Sequence, residues 1–237
     1  MLAYRIMIDG KLRPSFGRRK ARKLRLQSQQ AYDEILPLVR LAPEHLPFDD
    51  KVSEVWLEIG FGGGEHFIEQ LHHHSAVSMI GCEPFMNGVA KFLMQLKPED
   101  YDRVRIWHED VRHLLHAIPA SYFSYVFILF PDPWPKKRHH PRRLITKEFM
   151  TLLWPTLKEG AFLHVASDDQ PYVEQIQEVL YDFPGLVLCE GPPSADPQTW
   201  LPRPLGWPTT RYEQKAIKQG KKCAYMRFQK RGLGSSE

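Results

Sequence analysis

From residue 55 onward the chain alternates short apolar runs with amphipathic stretches, and no other feature restricts its fold as strongly. The strand-like runs are 55–59, 77–82, 104–107, 125–130, 161–166, 186–189 and 223–228. Helical patterns occupy 64–72, 85–96, 111–117, 146–157, 170–181 and 210–219, and a shorter one, 29–39, precedes the first strand. Short apolar strands separated by helices predict an α/β architecture, a mostly parallel seven-stranded sheet with helices on both faces. Ligands of such sheets sit at the carboxyl ends of the strands, near the switch point. Four acids fall at or just past strand ends: Glu58, Glu83, Asp110 and Asp132. Together they read as the lining of a pocket.

The first strand runs into Glu58-Ile59-Gly60-Phe61-Gly62-Gly63-Gly64, and a helix follows. Glycines such as Gly60 and Gly62 let a backbone turn tightly and approach a ligand closely. Glu83, at the end of the second strand, is placed to accept from both hydroxyls of a ribose. An adenosine-type cofactor on a Rossmann-like sheet is therefore expected. A dinucleotide fingerprint needs glycine where Glu65 stands, and Glu58 would repel a pyrophosphate. S-adenosylmethionine instead carries a sulfonium and an ammonium, cations suited to a pocket edged by Glu58 and Asp132. The pattern favours that cofactor. Asp110 reads as an acceptor for the adenine amino group or as a solvent-facing acid.

The run 130–143, FPDPWPKKRHHPRR, sets Asp132 between two prolines, with Trp134 next and then Lys136, Lys137, Arg138, Arg142 and Arg143. Proline fixes φ and has no N–H, so the fourth strand must stop here and the backbone stiffens. A rigid acid beside a flat ring and a phosphate-ready cluster suggests a nucleobase site. Trp134 reads equally as a stacking ring or as loop packing. The five cations are expected to meet RNA phosphates. His139 and His140 lack ligand partners at useful spacing, and His72-His73-His74 reads as a helix end, so no metal is expected.

Charge is distributed unevenly. Residues 1–25 hold nine Lys/Arg against one acid, Asp9, whereas the remainder holds 23 cations and 27 acids. Residues 1–30 are expected to be a basic arm, with a disordered solubilising tail as the bland alternative, and 31–237 a single domain. An arm of this kind suits a polyanionic partner. Six prolines between 191 and 208 mark a long loop. Cys82, Cys189 and Cys223 are odd in number and widely spaced, so they read as buried reduced thiols in a cytoplasmic protein. No apolar run approaches membrane-spanning length, and no signal-peptide core opens the sequence.

EIGFGGG, CEPF, EDV, FPDPWPKKRH, ASDD and TRYE, in this order and spacing, resemble the bacterial tRNA (guanine-N7)-methyltransferases. The segment SFGRRKARKLRLQSQQ is similar to that family's basic lead-in, and the likeness extends from about residue 15 to 230. The resemblance implies a class I methyltransferase fold and methyl transfer from S-adenosylmethionine to N7 of a tRNA guanosine in the variable loop. It also implies that Glu58, Glu83, Asp110 and Asp132 border the cofactor, and that Asp132 is the catalytic residue. Lys136, Asp168, Thr210, Arg211, Tyr212 and Glu213 are implied to contact the tRNA. No obligatory protein partner is implied. The family more usually has Thr-Lys-Phe-Glu where this chain has Thr210-Arg211-Tyr212-Glu213. Thr210 and Glu213 also match a capping box, which explains both without function. Asp168 likewise reads as a cap or a ligand. The rival readings are a methyltransferase acting on another RNA base or on an exocyclic amino group, and a non-catalytic RNA-binding module.

Overall fold

The seven apolar runs become β1 (Glu54–Ile59), β2 (Val77–Cys82), β3 (Val104–Trp107), β4 (Phe123–Leu129), β5 (Leu157–Ser167), β6 (Leu186–Glu190) and β7 (Ala224–Lys230). They join in one sheet of order β3-β2-β1-β4-β5-β7-β6. The structure, a computed structural model, describes residues 17, 19, 23–42, 48, 52, 54–205 and 207–232. Two thirds of the expected basic arm, 1–30, lies outside these residues.

Strands β3, β2, β1, β4 and β5 are parallel, and β7 runs antiparallel to both β5 and β6. The helices are α1 (Leu26–Val39), α2 (Glu65–His73), α3 (Met86–Leu93), α4 (Val111–Leu115), α5 (Lys147–Leu153), α6 (Gln170–Leu180) and α7 (Arg211–Lys218). Leu114, Phe149, Met150, Tyr172, Val173 and Ile176 from α4, α5 and α6 form one core against the sheet. Leu36, Phe67, Val89, Phe92 and Ala216 from α1, α2, α3 and α7 form a second, on the other face. The expected layering is present because central strands buried on both sides carry apolar residues at nearly every position.

Strand β4 stops one residue earlier than expected. Phe130 turns into the left-handed region at φ 53° while its N–H still donates to the Ala166 carbonyl. Strand β5 begins four residues earlier than expected, because Gly160, at φ 77°, bends the chain without ending the strand. Asp110, Thr146, Asp169 and Thr210 cap α4, α5, α6 and α7 through their side chains, which explains why those helices start where they do.

Cys82 and Cys223 are buried, but Cys189 is exposed, contrary to expectation, because β6 is an edge strand whose alternate residues face outward. His72 and His73 finish α2, as read from sequence. Among the described residues no helix is long and apolar enough to cross a membrane, and no cluster of His, Cys, Asp or Glu could hold a metal.

Candidate active site

The sheet order reverses direction at β1, with β2 and β3 on one side and β4 and β5 on the other. Parallel pairing sets Ile59 beside Cys82 and Ile128, and Cys82 beside Trp107. Backbone bonds continue the ladder one step further: Gly60 N–H donates to Cys82 O (2.7 Å) and Glu83 N–H to Trp107 O (3.1 Å). The residues after these strands therefore meet at one rim. Above them opens a cleft of about 1190 Å³, lined by Gly60, Glu83, Asp110, Asp132, Arg211 and Tyr212 among others. That is the place where a doubly wound sheet holds its ligand.

Glu83 lies at the base of this cleft and is buried. One carboxylate oxygen accepts from Gly62 N–H and the other from Phe85 N–H, both at 2.8 Å. Gly62 offers its N–H from φ 56°, a conformation that favours glycine. Helix α3 comes so close that a Cβ on Gly88 would lie 2.5 Å from the Gly62 carbonyl oxygen, so glycine is required there too. Burial pushes the Glu83 carboxyl up to about 7, against the two backbone donors, and the charges of Asp132 and Glu58 add to the rise. The Glu83 carbonyl accepts from His108 Nδ1 at 2.7 Å, which makes Nδ1 the protonated nitrogen of that ring.

Asp110 is held by Arg112, through the backbone N–H (3.0 Å), Nε (2.9 Å) and a terminal nitrogen (2.6 Å). Burial opposes ionisation, but these Arg112 contacts outweigh it and hold the carboxyl below its usual range. The carboxylate thus stays charged in the cleft wall.

Asp132 stands at the mouth, between Pro131 and Pro133. Its surface is exposed, yet the surrounding walls desolvate it enough to raise its carboxyl above the ordinary value. Trp134, half-buried and at φ 48°, lines the same wall, with the Arg142 guanidinium 5.1 Å over its ring.

Glu58 does not reach the cleft. It is buried one pleat below the rim, on the Trp56 side of β1, where it accepts from His66 Nδ1 at 2.8 Å. Alternation along the strand sends it to that face. Its charge still reaches Glu83. Gly62 stands behind the cleft wall and acts through Glu83.

The Thr210–Glu213 stretch divides by position. Thr210 Oγ1 accepts from Glu213 N–H at 3.2 Å, so half of the capping box forms. The Glu213 carboxylate turns instead to Arg203 at 3.1 Å and ties the proline-rich loop to α7. Neither outer residue lines the cleft, whereas Arg211 and Tyr212 both do. These are the two positions at which the chain departs from Thr-Lys-Phe-Glu. The Tyr212 ring leans over the glycine loop, 3.4 Å from where a Cβ of Gly62 would stand. Burial, then the charges of Glu83 and Asp132, push its phenol up.

Asp168 sits away from the cleft, paired with Lys221 at 3.1 Å, and the neighbouring Asp169 makes the cap of α6. Lys136 is exposed on the shoulder beside Trp134, with Lys137 and Arg138. Arg143 overturns its expected role. It is 2% exposed and bound to backbone carbonyls, so it cannot meet a phosphate.

The sequence reading missed Lys215 and Lys218, which line the cleft with Arg211 along one face of α7. Their spacing of four and three residues was the available signal.

A family model described as "Putative methyltransferase" matches residues 53–226. The tRNA (guanine-N(7)-)-methyltransferase of Rhodospirillum rubrum is 40% identical over 227 residues, covering 91% of this chain and 87% of its own. That of Granulibacter bethesdensis is 39% identical, covering 91% of this chain and 94% of its own. Among solved structures, the 16S rRNA (adenine(1408)-N(1))-methyltransferase of Catenulisporales acidiphilia, crystallised with its cosubstrate SAM, superposes at a TM-score of 0.54. It is 13% identical and covers 83% of this chain and 95% of its own, a likeness of fold.

Proposed function

Because the chain belongs to the tRNA (guanine-N7)-methyltransferases, which move a methyl group from S-adenosylmethionine to N7 of a tRNA guanosine, we propose that its rim cleft holds donor and target base side by side. The observation that carries this reading is the convergence of Gly60, Glu83, Asp110 and Asp132 at the ends of β1 to β4, with a cationic face of α7 across from them. The donor side is Glu83 and Asp110, with Gly60 on the floor and Gly62 acting through Glu83; the base side is Asp132.

The cleft fits the donor chemically. S-adenosylmethionine supplies an electrophilic methyl on a sulfonium. Glu83 offers an acceptor for ribose hydroxyls, and the acids around it favour a cation. Asp110 faces the same cleft with its charge held by Arg112, suited to a polar edge such as the adenine amino group. Glu58 acts from below, through its charge and through His66 at the start of α2.

Guanine N7 carries a lone pair and no proton, so the reaction needs no general base. Asp132 accepts from the N1–H or amino edge of the guanine and offsets the positive charge that develops on the ring. Trp134 walls the base side. Arg211, Lys215 and Lys218 on α7, and Lys136, Lys137 and Arg138 on the opposite shoulder, take phosphates on either side of the target nucleotide. Asp168, Thr210 and Glu213 act through α7 and its flanking turns, by fixing where that cationic face stands. The RNA major groove is too deep and narrow for side chains, so the guanine is read in a loop or extruded, and the variable loop is the target in this proposal. A tRNA substrate is what supports a cytoplasmic location in this proposal.

The test is incubation with methyl-labelled S-adenosylmethionine and unmodified tRNA, then digestion to nucleosides. Label in 7-methylguanosine from the variable loop is expected; label in an exocyclic N-methyl base would overturn the base assignment, and label elsewhere in the tRNA the loop.

Replacing Lys215 and Lys218 together with Gln is expected to weaken tRNA binding. It should also flatten the plot of log affinity against log salt by about 1.4 to 1.8, roughly 0.7 to 0.9 per lost phosphate contact. S-adenosylmethionine affinity should not change. Filter binding over a salt series decides it; an unaltered slope would remove α7 from the RNA surface.

A further inference from the structure

We propose that Arg143 is a positioning residue for the reaction, a buried brace that fixes the Pro131-Asp132-Pro133 segment in its productive shape. The segment is bracketed by two non-glycine residues in the left-handed region, Phe130 at φ 53° and Trp134 at φ 48°. Such residues persist only where the surroundings over-determine them. Two prolines remove two of this stretch's N–H donors, which leaves more of its anchoring to its carbonyls. At one end, Phe130 N–H donates to Ala166 O at 2.8 Å. At the other, the Pro133 carbonyl, directly after Asp132, accepts from Arg143 Nε at 2.7 Å.

Arg143 is itself held from several directions. One terminal nitrogen donates to Pro171 O (3.0 Å) and to Gln175 Oε1 (2.9 Å), both on α6. Its guanidinium lies 4.8 Å over the Tyr172 ring, and the Asp169 carboxylate is 3.8 Å away. Tyr172 and Gln175 also bind the backbone of Ile145, the hydroxyl accepting from its N–H at 3.1 Å and the amide donating to its carbonyl at 3.0 Å. The brace therefore ties the strained loop to a rigid helix. A lysine cannot reproduce it, because one ammonium lacks the planar fork that reaches Pro133 and α6 together.

The inference rests on Asp132 acting at the reacting centre. The experiment compares Arg143→Lys, Gln175→Ala, Asp132→Asn and the Arg143→Lys/Asp132→Asn double variant in single-turnover methylation of tRNA, with thermal melts and a salt series of tRNA binding for each. Arg143→Lys should slow methyl transfer by about 100-fold, with tRNA affinity and salt slope unchanged, as expected for misplacement of a reacting group. In the Asp132→Asn background the same change should cost about twofold or less, because both act through one carboxylate. Should Arg143→Lys fail to fold, Gln175→Ala, which removes one tether and keeps the guanidinium, is expected to lose about fivefold in rate and to show the same non-additivity. A normal rate, a reduced salt slope, or full additivity with Asp132→Asn overturns the brace. If Asp132→Asn alone leaves the rate intact, the reading of Asp132 fails, and that result is distinguishable from a normal Arg143 variant beside an inactive Asp132 variant.

Discussion

Asp132→Asn is expected to slow methyl transfer by about 10²- to 10³-fold while tRNA and S-adenosylmethionine still bind, since it removes charge aimed at the transition state and little else. The substitution keeps size and one acceptor oxygen. On the proposed reading it deletes the negative charge that faces the guanine as N7 becomes cationic. Asp132→Ala removes the acceptor as well and should raise the KM for tRNA in addition, so the pair of variants separates charge from positioning. The wild-type pH profile should carry the same signature. Desolvation raises the Asp132 carboxyl above its ordinary value, so protonation begins at a higher pH than for a free aspartate, and activity falls as the medium becomes acidic. The Asn variant should lose that acidic limb. Single-turnover rates at saturating donor, taken over a pH series, measure both effects. An Asn variant with wild-type turnover would show that the carboxylate only shapes a turn.

The layering of the fold was legible because short apolar runs and helical patterns alternate from β1 to β6, and resume after the proline-rich loop with α7 and β7. The rim itself followed from strand ends, which is why Glu83, Asp110 and Asp132 were found together. Glu58 shows where that reasoning stops. Being near a strand end does not say which way a side chain faces; counting alternation from Trp56 does, and it points Glu58 to His66. The cationic run after Pro133 gave the same difficulty. Five positive residues look alike in sequence, yet Lys136, Lys137 and Arg138 are exposed while Arg143 is buried under the loop they follow. Only the apolar Leu144-Ile145 that comes next hinted that the chain was turning inward. On α7 the opposite holds: Arg211, Lys215 and Lys218 carry a readable helical spacing, but short helices with many charges are usually solvated all round. The left-handed Phe130 and Trp134 could not be foreseen, because aromatic residues rarely adopt that backbone and the strain is imposed by the tertiary contacts of Ala166 and Arg143.

Glu83 should link cofactor binding to pH, with a sign fixed by its burial. Its folded carboxyl is raised from 4.5 to about 7, so the folded chain without donor holds a proton there that the unfolded chain has released. The stabilisation is fully present below pH 4.5 and is lost as pH rises through about 7. At 1.36 kcal/mol per unit the loss is about 3 kcal/mol, large beside the net stability of a domain. Ribose hydroxyls donate best to the ionised carboxylate, and a sulfonium offsets its charge, so the donor favours the unprotonated form. S-adenosylmethionine affinity is therefore expected to rise as pH approaches about 7 and to level off above it, with a proton released on binding on the acid side. The apo protein should lose melting temperature from about pH 4.5 to 7 and level off above, while the donor-saturated protein holds its own. Glu83→Gln should flatten the apo pH dependence, abolish the proton release and weaken donor binding by about 100-fold through the lost charge-assisted bonds. That variant also separates Glu83 from its neighbours: the lowered His108 ring and the raised Asp132 carboxyl owe their shifts first to burial and would still titrate without the Glu83 carboxylate. Calorimetry in two buffers of different ionisation enthalpy reads the proton directly. Affinity that is indifferent to pH, with no proton exchanged, would mean the ribose is held elsewhere in the cleft, and the acid at the end of β2 would then serve only to pin Gly62 and Phe85.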